Sequence, residues 1–372
     1  MRIGIPKEQK SLEGRVGLTP EAVKSLTDAG HDVCIELGAG VNSGYSDTQY
    51  SLSGASLMPS AAMVYQNAQL IIKVKEPLES EWPFYREDHI LFCFLHLAAN
   101  EALLKKLCEI GLTAIAFETV VETDPVTNQK TLPLLAPMSA IAGRVTAQMG
   151  ATLQYQYRGG QGILFGGLDE QSNAQFNIDT GTVIVLGAGI AGAHAAITSA
   201  ALGAKVTMLD INQQRLTELE KSSGNFMGNI TGMISNEETI RACVEQADLL
   251  IGAVLIPGAR APHLVTEQMV NTMKPNSVVM DISVDQGGCI ETIRSTSYDA
   301  PVYLHGNVVH FGVANIPGAV PRTATQALSA AILPYAHSLI STIESDDWLK
   351  NTQINEAINV KAGEVVHPAL KL

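Results

Sequence analysis

Residues 182–200 read TVIVLGAGIAGAHAAITSA, and 205–210 read KVTMLD. TVIVL has the β-branched, apolar character of a buried strand, the Ala-rich run after it has that of a helix, and KVTMLD reads as a second strand. Between strand and helix lie Gly187, Gly189 and Gly192, the G-x-G-x-x-G spacing of a dinucleotide-binding turn in its required context. Gly187 permits the tight turn, and Gly189 lets backbone N–H groups approach a pyrophosphate. Gly192 lets helix and strand pack closely, and the helix N-terminus supplies partial positive charge. Asp210 ends the second strand, where a carboxylate accepts hydrogen bonds from the ribose hydroxyls of NAD and repels the 2′-phosphate of NADP. The expected cofactor is therefore NAD. Arg215 is the counter-signal, since an Arg can accommodate that phosphate; its alternative reading is a solvated helix charge.

The same alternation continues on both sides. DLLIGAV (248–254) and SVVMDIS (277–283) read as strands, and 190–202, 212–221, 238–247 and 264–273 as helices. In the first third, RIGIP, HDVCIEL, QLIIKVK, HILFCFLHL and LTAIAFET read as strands, with helices from Thr19 to Gly30 and from Asn100 to Gly111. Strand–helix alternation of this kind makes an α/β fold with parallel sheets between helices. A long helical pattern from Pro137 contains no strand and reads as a connector; another from Thr323 returns the chain to the first domain. The expected organisation is a Rossmann dinucleotide-binding domain (137–308, with the connecting helix) inserted into a discontinuous substrate domain (1–136 and 309–372).

The chain has 372 residues, 46% hydrophobic and 16% charged, which suits two folded domains rather than disorder. Its net charge is −13 without a basic run, so nucleic acid, whose phosphates demand clustered Lys and Arg, is not an expected partner. Any anionic ligand must be held by local positive charge and backbone N–H groups. Five scattered cysteines form no C-x-x-C pair, so neither a zinc site nor a redox dithiol is expected, and a reducing compartment is. The N-terminus MRIGIPKEQK lacks the apolar core of a signal peptide, and no apolar run reaches a membrane-spanning length. A cytoplasmic protein without a membrane partner is the expectation.

Hydride transfer still needs groups that hold a substrate and move protons. Arg15, Lys75 and His96 lie at or near strand ends of the first domain, which in open α/β sheets face the ligand crevice. Each also has a bland reading: a loop charge for Arg15, a snorkelling strand end for Lys75, a satisfied core histidine for His96. Asp285, after VVMDIS, occupies the corresponding end of a strand in the second domain. From its setting alone it reads rather as a turn residue before Gly287–Gly288, and Asp281 is its rival.

The words MRIGIPKE, EGRVGLTP, KVKEP, FLHLA, LLAPMS, LGAGIAG, GAVLIPG, DQGGC and VANIPGAVP run through nearly the whole chain in order. In them the sequence resembles the alanine dehydrogenases. The resemblance implies NAD-dependent, reversible oxidative deamination of L-alanine to pyruvate and ammonia, as in L-alanine catabolism, by a homohexamer. It places Arg15 and Lys75 on the substrate, His96 and Asp285 as catalytic residues, and Met138 and Asn315 in the substrate pocket. On the cofactor it places Ser139, Ile190, Ala191, Asp210, Arg215, Ser235, Val254, Leu255, Ile282, Ser283, Val284, Asp285, Arg294, Val313, Ala314, Asn315 and Ile316. No metal is implied. The alternative within the same resemblance is the soluble NAD-binding component of a proton-translocating transhydrogenase, which passes hydride between nucleotides and has no need of Arg15, Lys75 and His96 around a small carboxylate. The segments 168–182 and 221–233 look longer than the family requires and read as surface loops.

Overall fold

The computed structural model describes residues 1–126, 128, 130–222, 229–254, 261–348 and 351–370. The chain divides into two compact units, one of Met1–Met138 with Gly318–Leu372, the other of Ser139–Pro317.

In the first unit β1 (Arg2–Ile5), β2 (Asp32–Glu36), β3 (Ser56–Met58), β4 (Leu70–Ile72), β5 (Ile90–Cys93) and β6 (Thr113–Ala116) are all parallel. They lie in the order β6-β5-β4-β1-β2-β3. The chain thus builds outward from β1 to β3, then restarts on the other side of β1 with β4. The carboxyl ends of β1 and β4 flank the reversal of strand order, which is where open α/β sheets bind ligands. A short hairpin, β7 (Glu122–Thr123) with β8 (Lys130–Thr131), follows β6. Helices form where capping and apolar spacing coincide. The hydroxyl of Thr19 accepts the N–H of Ala22 to start Pro20–Asp28, and Asn100 accepts the N–H of Leu103 (3.1 Å) to start Glu101–Ile110. The second helix buries Leu103, Leu104 and Leu107 against Leu91, Cys93, Ala114 and Ala116 of the sheet. Each such leucine contributes about 1.5–3 kcal/mol.

The second unit carries β9 (Thr182–Leu186), β10 (Lys205–Asp210), β11 (Ile230–Ile234), β12 (Leu249–Gly252), β13 (Val278–Asp281), β14 (Val302–His305) and β15 (Val308–Phe311). Their order is β11-β10-β9-β12-β13-β15-β14, parallel except for β14. This is the doubly wound arrangement expected from the glycine fingerprint, with its switch point between β9 and β12. The helix Ala136–Leu153 packs closely on Ile190–Ala201, since a Cβ at Gly143 would overlap the carbonyl oxygen of Ala191.

Five expectations need correction. The boundary at 308/309 cuts the first residue from β15, which pairs with both β13 and β14; the unit continues to Pro317. The C-terminal region is not helical throughout. After the helix Pro321–Ser345 and a short turn of helix, β16 (Ile358–Lys361) joins β6 antiparallel and β17 (Glu364–Val365) pairs with β16. The strand QLIIKVK is shorter than its apolar pattern, ending at Ile72, so Lys73 and Lys75 lie beyond it. Of 264–273, only Glu267–Val270 is α-helical, and the loop reading of 168–182 misses the helix Glu170–Phe176. Residues 223–228 of the other long segment lie outside the described residues.

Candidate active site

Three polar side chains leave the carboxyl ends of neighbouring strands in the first unit: Arg15 in the loop after β1, Lys75 after β4 and His96 after β5. Arg15 is buried at 2% exposure. Glu13 holds it by two parallel bonds, Nε to Oε1 at 2.7 Å and Nη2 to Oε2 at 2.5 Å, and Oε1 also accepts the N–H of Arg15 at 3.0 Å. Its Nη1 lies 3.2 Å from the Sδ of Met138, which sets the pocket candidate Met138 directly against the carboxylate-binding candidate. Lys75 is buried too. Desolvation, and after it the positive charge of Arg15, lowers its pKa from the ordinary lysine range.

His96 stands in the left-handed region, at φ 49° and ψ 39°, where a residue with a Cβ is strained by roughly 1–2 kcal/mol. The Glu118 carboxylate, from just after β6, pins this conformation by accepting the N–H groups of His96 (2.6 Å) and Leu95 (3.2 Å). The ring lies parallel to that of Phe94 and remains partly open to solvent. Sequence reading had singled out none of Glu8, Glu13 or Glu118. Glu8 and Glu13 sit inside two of the quoted words, but nothing in the sequence tells a carboxylate that holds the main chain or an arginine from one that faces solvent.

In the second unit, the glycine turn follows β9. Gly187 has φ +100°, closed to residues with a side chain except at a cost. A Cβ at Gly192 would overlap the carbonyl oxygen of Gly187, so glycine there allows the helix to close on the turn. At Gly189, the N-cap of Ile190–Ala201, a Cβ would meet nothing within 4 Å. The first N–H groups of that helix lack intrahelical acceptors, and Gly189 sets no side chain beside them, the arrangement that receives a pyrophosphate. Asp210 is buried; its Oδ2 accepts the N–H of Ala188 at 2.6 Å and its Oδ1 that of Asn212 at 2.8 Å. A carboxylate has about four lone-pair sites, so both oxygens retain capacity for a ribose while tying down the glycine turn. These residues fit a dinucleotide.

The other cofactor candidates largely gather at the same edge of the sheet. Ser235 follows β11 and donates its N–H to the carbonyl of Asp210 (3.0 Å); Val254 follows β12; Ile282, Ser283, Val284 and Asp285 follow β13. Val313, Ala314, Asn315 and Ile316 follow β15, with Asn315 at φ 64°. Arg294 stacks its guanidinium 4.2 Å from the ring centre of Tyr303, and Arg215 is exposed in the first turn of Gln213–Ser222. Ser139 lies early in the helix Ala136–Leu153. Leu255 lies outside the described residues. The structure separates the two aspartates. Asp281 is buried and accepts the N–H and hydroxyl of Ser283 (both 2.9 Å) and the N–H of Cys289 (2.7 Å), whereas Asp285 is exposed. Burial raises the pKa of Asp281, and its oxygens are committed to shaping the turn. Among the described residues no His, Cys, Asp and Glu group is placed to hold a metal, and no helix is long and apolar enough to cross a membrane.

Two family models match almost the entire length: alanine dehydrogenase/PNT N-terminal domain over residues 4–142 and alanine dehydrogenase/PNT C-terminal domain over 146–368. The chain belongs to the alanine dehydrogenase/PNT family. Within it, the chain is 44% identical to an alanine dehydrogenase of Methanococcus maripaludis, covering 100% of this chain and 95% of that protein. It is 46% identical to an alanine dehydrogenase of Staphylococcus saprophyticus, covering 97% and 92%. Among solved structures, an L-alanine dehydrogenase matches with a TM-score of 0.90 at 44% identity, over 99% of this chain and 98% of that one. A transhydrogenase from Sinorhizobium meliloti matches with a TM-score of 0.80 at 26% identity, over 100% of both. Membership and full-length likeness together make the chain an oxidoreductase of the amino-acid dehydrogenase kind, with a dinucleotide-binding fold.

Proposed function

We propose that this chain interconverts L-alanine with pyruvate and ammonia, using NAD. One observation carries the reading: a guanidinium, an amine and an imidazole leave neighbouring strand ends in a chain 44–46% identical, over nearly its whole length, to alanine dehydrogenases.

Arg15, oriented by Glu13, binds the substrate carboxylate through a planar fork that matches it. Lys75, in its desolvated setting, donates to the carbonyl oxygen of pyruvate and stabilises negative charge developing there. His96 moves the proton that water addition and ammonia release require. Asp285 contributes a carboxylate from the second unit to the same proton handling. The helix N-terminus after Gly189 binds the pyrophosphate and Asp210 the ribose, which favours NAD over NADP. NAD, when bound, supplies the acceptor for the hydride that leaves the α-carbon.

A screen of small amino acids against NAD and NADP, followed by absorbance of the reduced cofactor, tests this reading. Turnover of L-alanine with NAD is the expected result. Hydride exchange between nucleotides without turnover of any amino acid would instead favour the transhydrogenase component, the reading that the Sinorhizobium likeness supports. We also propose a cytoplasmic homohexamer, as the family resemblance implies; light scattering from the purified protein measures the assembly.

A further inference from the structure

We propose that Glu8 is a positioning residue of the active site, its buried carboxylate fixing the main chain from which Lys75 reaches the substrate. The inference rests on the proposed role of Lys75 and extends it to a residue that itself touches no substrate.

β1 ends at Ile5 and β4 at Ile72, so past these points the ladder between the two strands stops. The N–H groups of the residues that follow β4 still need acceptors, because a buried orphan costs about as much as a lost hydrogen bond. Glu8 supplies them. Its Oε1 accepts the N–H of Val74 at 2.6 Å and that of Lys75 at 3.4 Å, taking the place of the missing neighbouring strand. On the other side, the carbonyl of Val74 accepts the N–H of Phe94 at 3.1 Å, and Lys73 donates its N–H to the carbonyl of Phe92 at 3.3 Å. The segment leading to Lys75 is thereby clamped between a side chain and the strand that leads to His96.

The charge balance under this clamp is also built. Lys73, fully buried, lies 3.9 Å from Glu8 Oε2 and 2.5 Å from Glu81 Oε1. Glu81 in turn accepts the hydroxyl of Tyr65 (2.9 Å) and the N–H of Leu78 (2.9 Å), locking the following loop. Burying such charges is weak support for stability in itself, since well-packed apolar residues often do as well. What an apolar residue at position 8 could not do is accept those two N–H groups.

The test follows pyruvate reduction by the full chain with NADH and ammonium for wild type, Glu8→Ala and Glu8→Gln, with NADH affinity read separately by nucleotide fluorescence. Misplacing a catalytic group by 1 Å costs on the order of a hundredfold, and that is the loss of kcat/KM for pyruvate expected of Glu8→Ala, at unchanged NADH affinity. Glu8→Gln keeps an acceptor oxygen and should recover most of the loss. If Glu8→Ala fails to fold, Glu8→Met fills the same space without an acceptor and takes its place. Wild-type kcat/KM in the acceptor-free variant, even with a lowered melting temperature, would overturn the proposal. So would a Gln variant as impaired as the Ala variant. A wild-type chain without amino-acid turnover removes the functional reading and this inference together, whereas an active wild type beside an unimpaired Glu8→Ala removes Glu8 alone.

Discussion

Glu13 clasps Arg15 along one edge of its guanidinium, Nε to Oε1 at 2.7 Å and Nη2 to Oε2 at 2.5 Å, with both side chains essentially out of water. A buried charge is tolerated only where it is paired and hydrogen-bonded, so the pair explains how Arg15 can sit in the interior of the first unit. Removing one member of such a pair typically costs about 3–5 kcal/mol, because the other charge is stranded. Glu13→Ala should therefore lose stability on that scale in urea, well beyond an exposed Glu→Ala control. A loss no greater than the control's would show the pair to be incidental.

Arg15→Ala should leave NADH affinity near wild type but weaken pyruvate greatly. Losing a charged hydrogen-bond partner costs about 1.5–3 kcal/mol, roughly ten- to a hundredfold in affinity. Steady-state KM for pyruvate beside NADH fluorescence titration separates the two effects. Unaltered pyruvate kinetics would remove Arg15 from the substrate.

Asp210 carries two loads, since its oxygens also accept the N–H groups of Ala188 and Asn212. Asp210→Ala should weaken NADH both by losing the ribose contact and by loosening the glycine turn, while NADPH loses less because repulsion of its phosphate disappears. The decisive quantity is the ratio of the two dissociation constants. If it does not fall, Asp210 does not face the ribose.

His96→Ala should retain NADH affinity and lose about 10²–10⁴-fold in kcat, the usual worth of general acid–base help. Asp285→Asn, at an exposed position, should lose turnover without losing stability. Asp281→Asn should do the reverse in emphasis, unfolding earlier because it breaks the acceptor set for Ser283 and Cys289. Thermal melts and kcat measured on the same samples distinguish these patterns. A normal rate in His96→Ala would pass the proton-transfer role to Lys75.

Glu8 gives a dependence of stability on pH with a definite sign. Burial is the main cause lifting its pKa from 4.5 to about 7; Lys73 lowers it, while Glu13 and Glu81 raise it. The charge of Glu8 is also felt by Tyr65 and Cys93. The folded state thus binds a proton more tightly than the unfolded chain, so this group's contribution is fully present below 4.5 and is lost as pH rises to about 7. Glu8→Gln lacks the titration. Its melting temperature relative to wild type should climb across that interval and level off above it. A constant offset would mean that folding does not raise the pKa of Glu8.

The glycine turn, Asp210 at a strand end, and the capping of helices by Thr19 and Asn100 were all legible, because each depends on neighbours a few residues apart. Arg15, Lys75 and His96 were legible as candidates for the same reason: a charge or imidazole beside an apolar run stands out. Their supports were not. Glu8 meets Val74 across 66 positions, and Glu118 meets His96 across 22, distances over which spacing carries no information. Asp281 and Asp285 could not be ranked by burial from a single line of letters, since one ends and the other follows the same apolar strand.

By itself the sequence determined the class of the fold, the glycine turn and the candidates for carrying chemistry, because local periodicity, turn geometry and side-chain type are properties of contiguous segments. Only the tertiary structure decided that Val308–Phe311 belongs to the second unit's sheet, that the tail returns as a strand beside Thr113–Ala116, and that Glu8, Glu13 and Glu118 bond to Val74, Arg15 and His96 beside or at the candidate groups. Strand partners and buried counter-charges are chosen by which unpaired N–H groups and charges the folded core brings together, and that choice exists only once the core has formed.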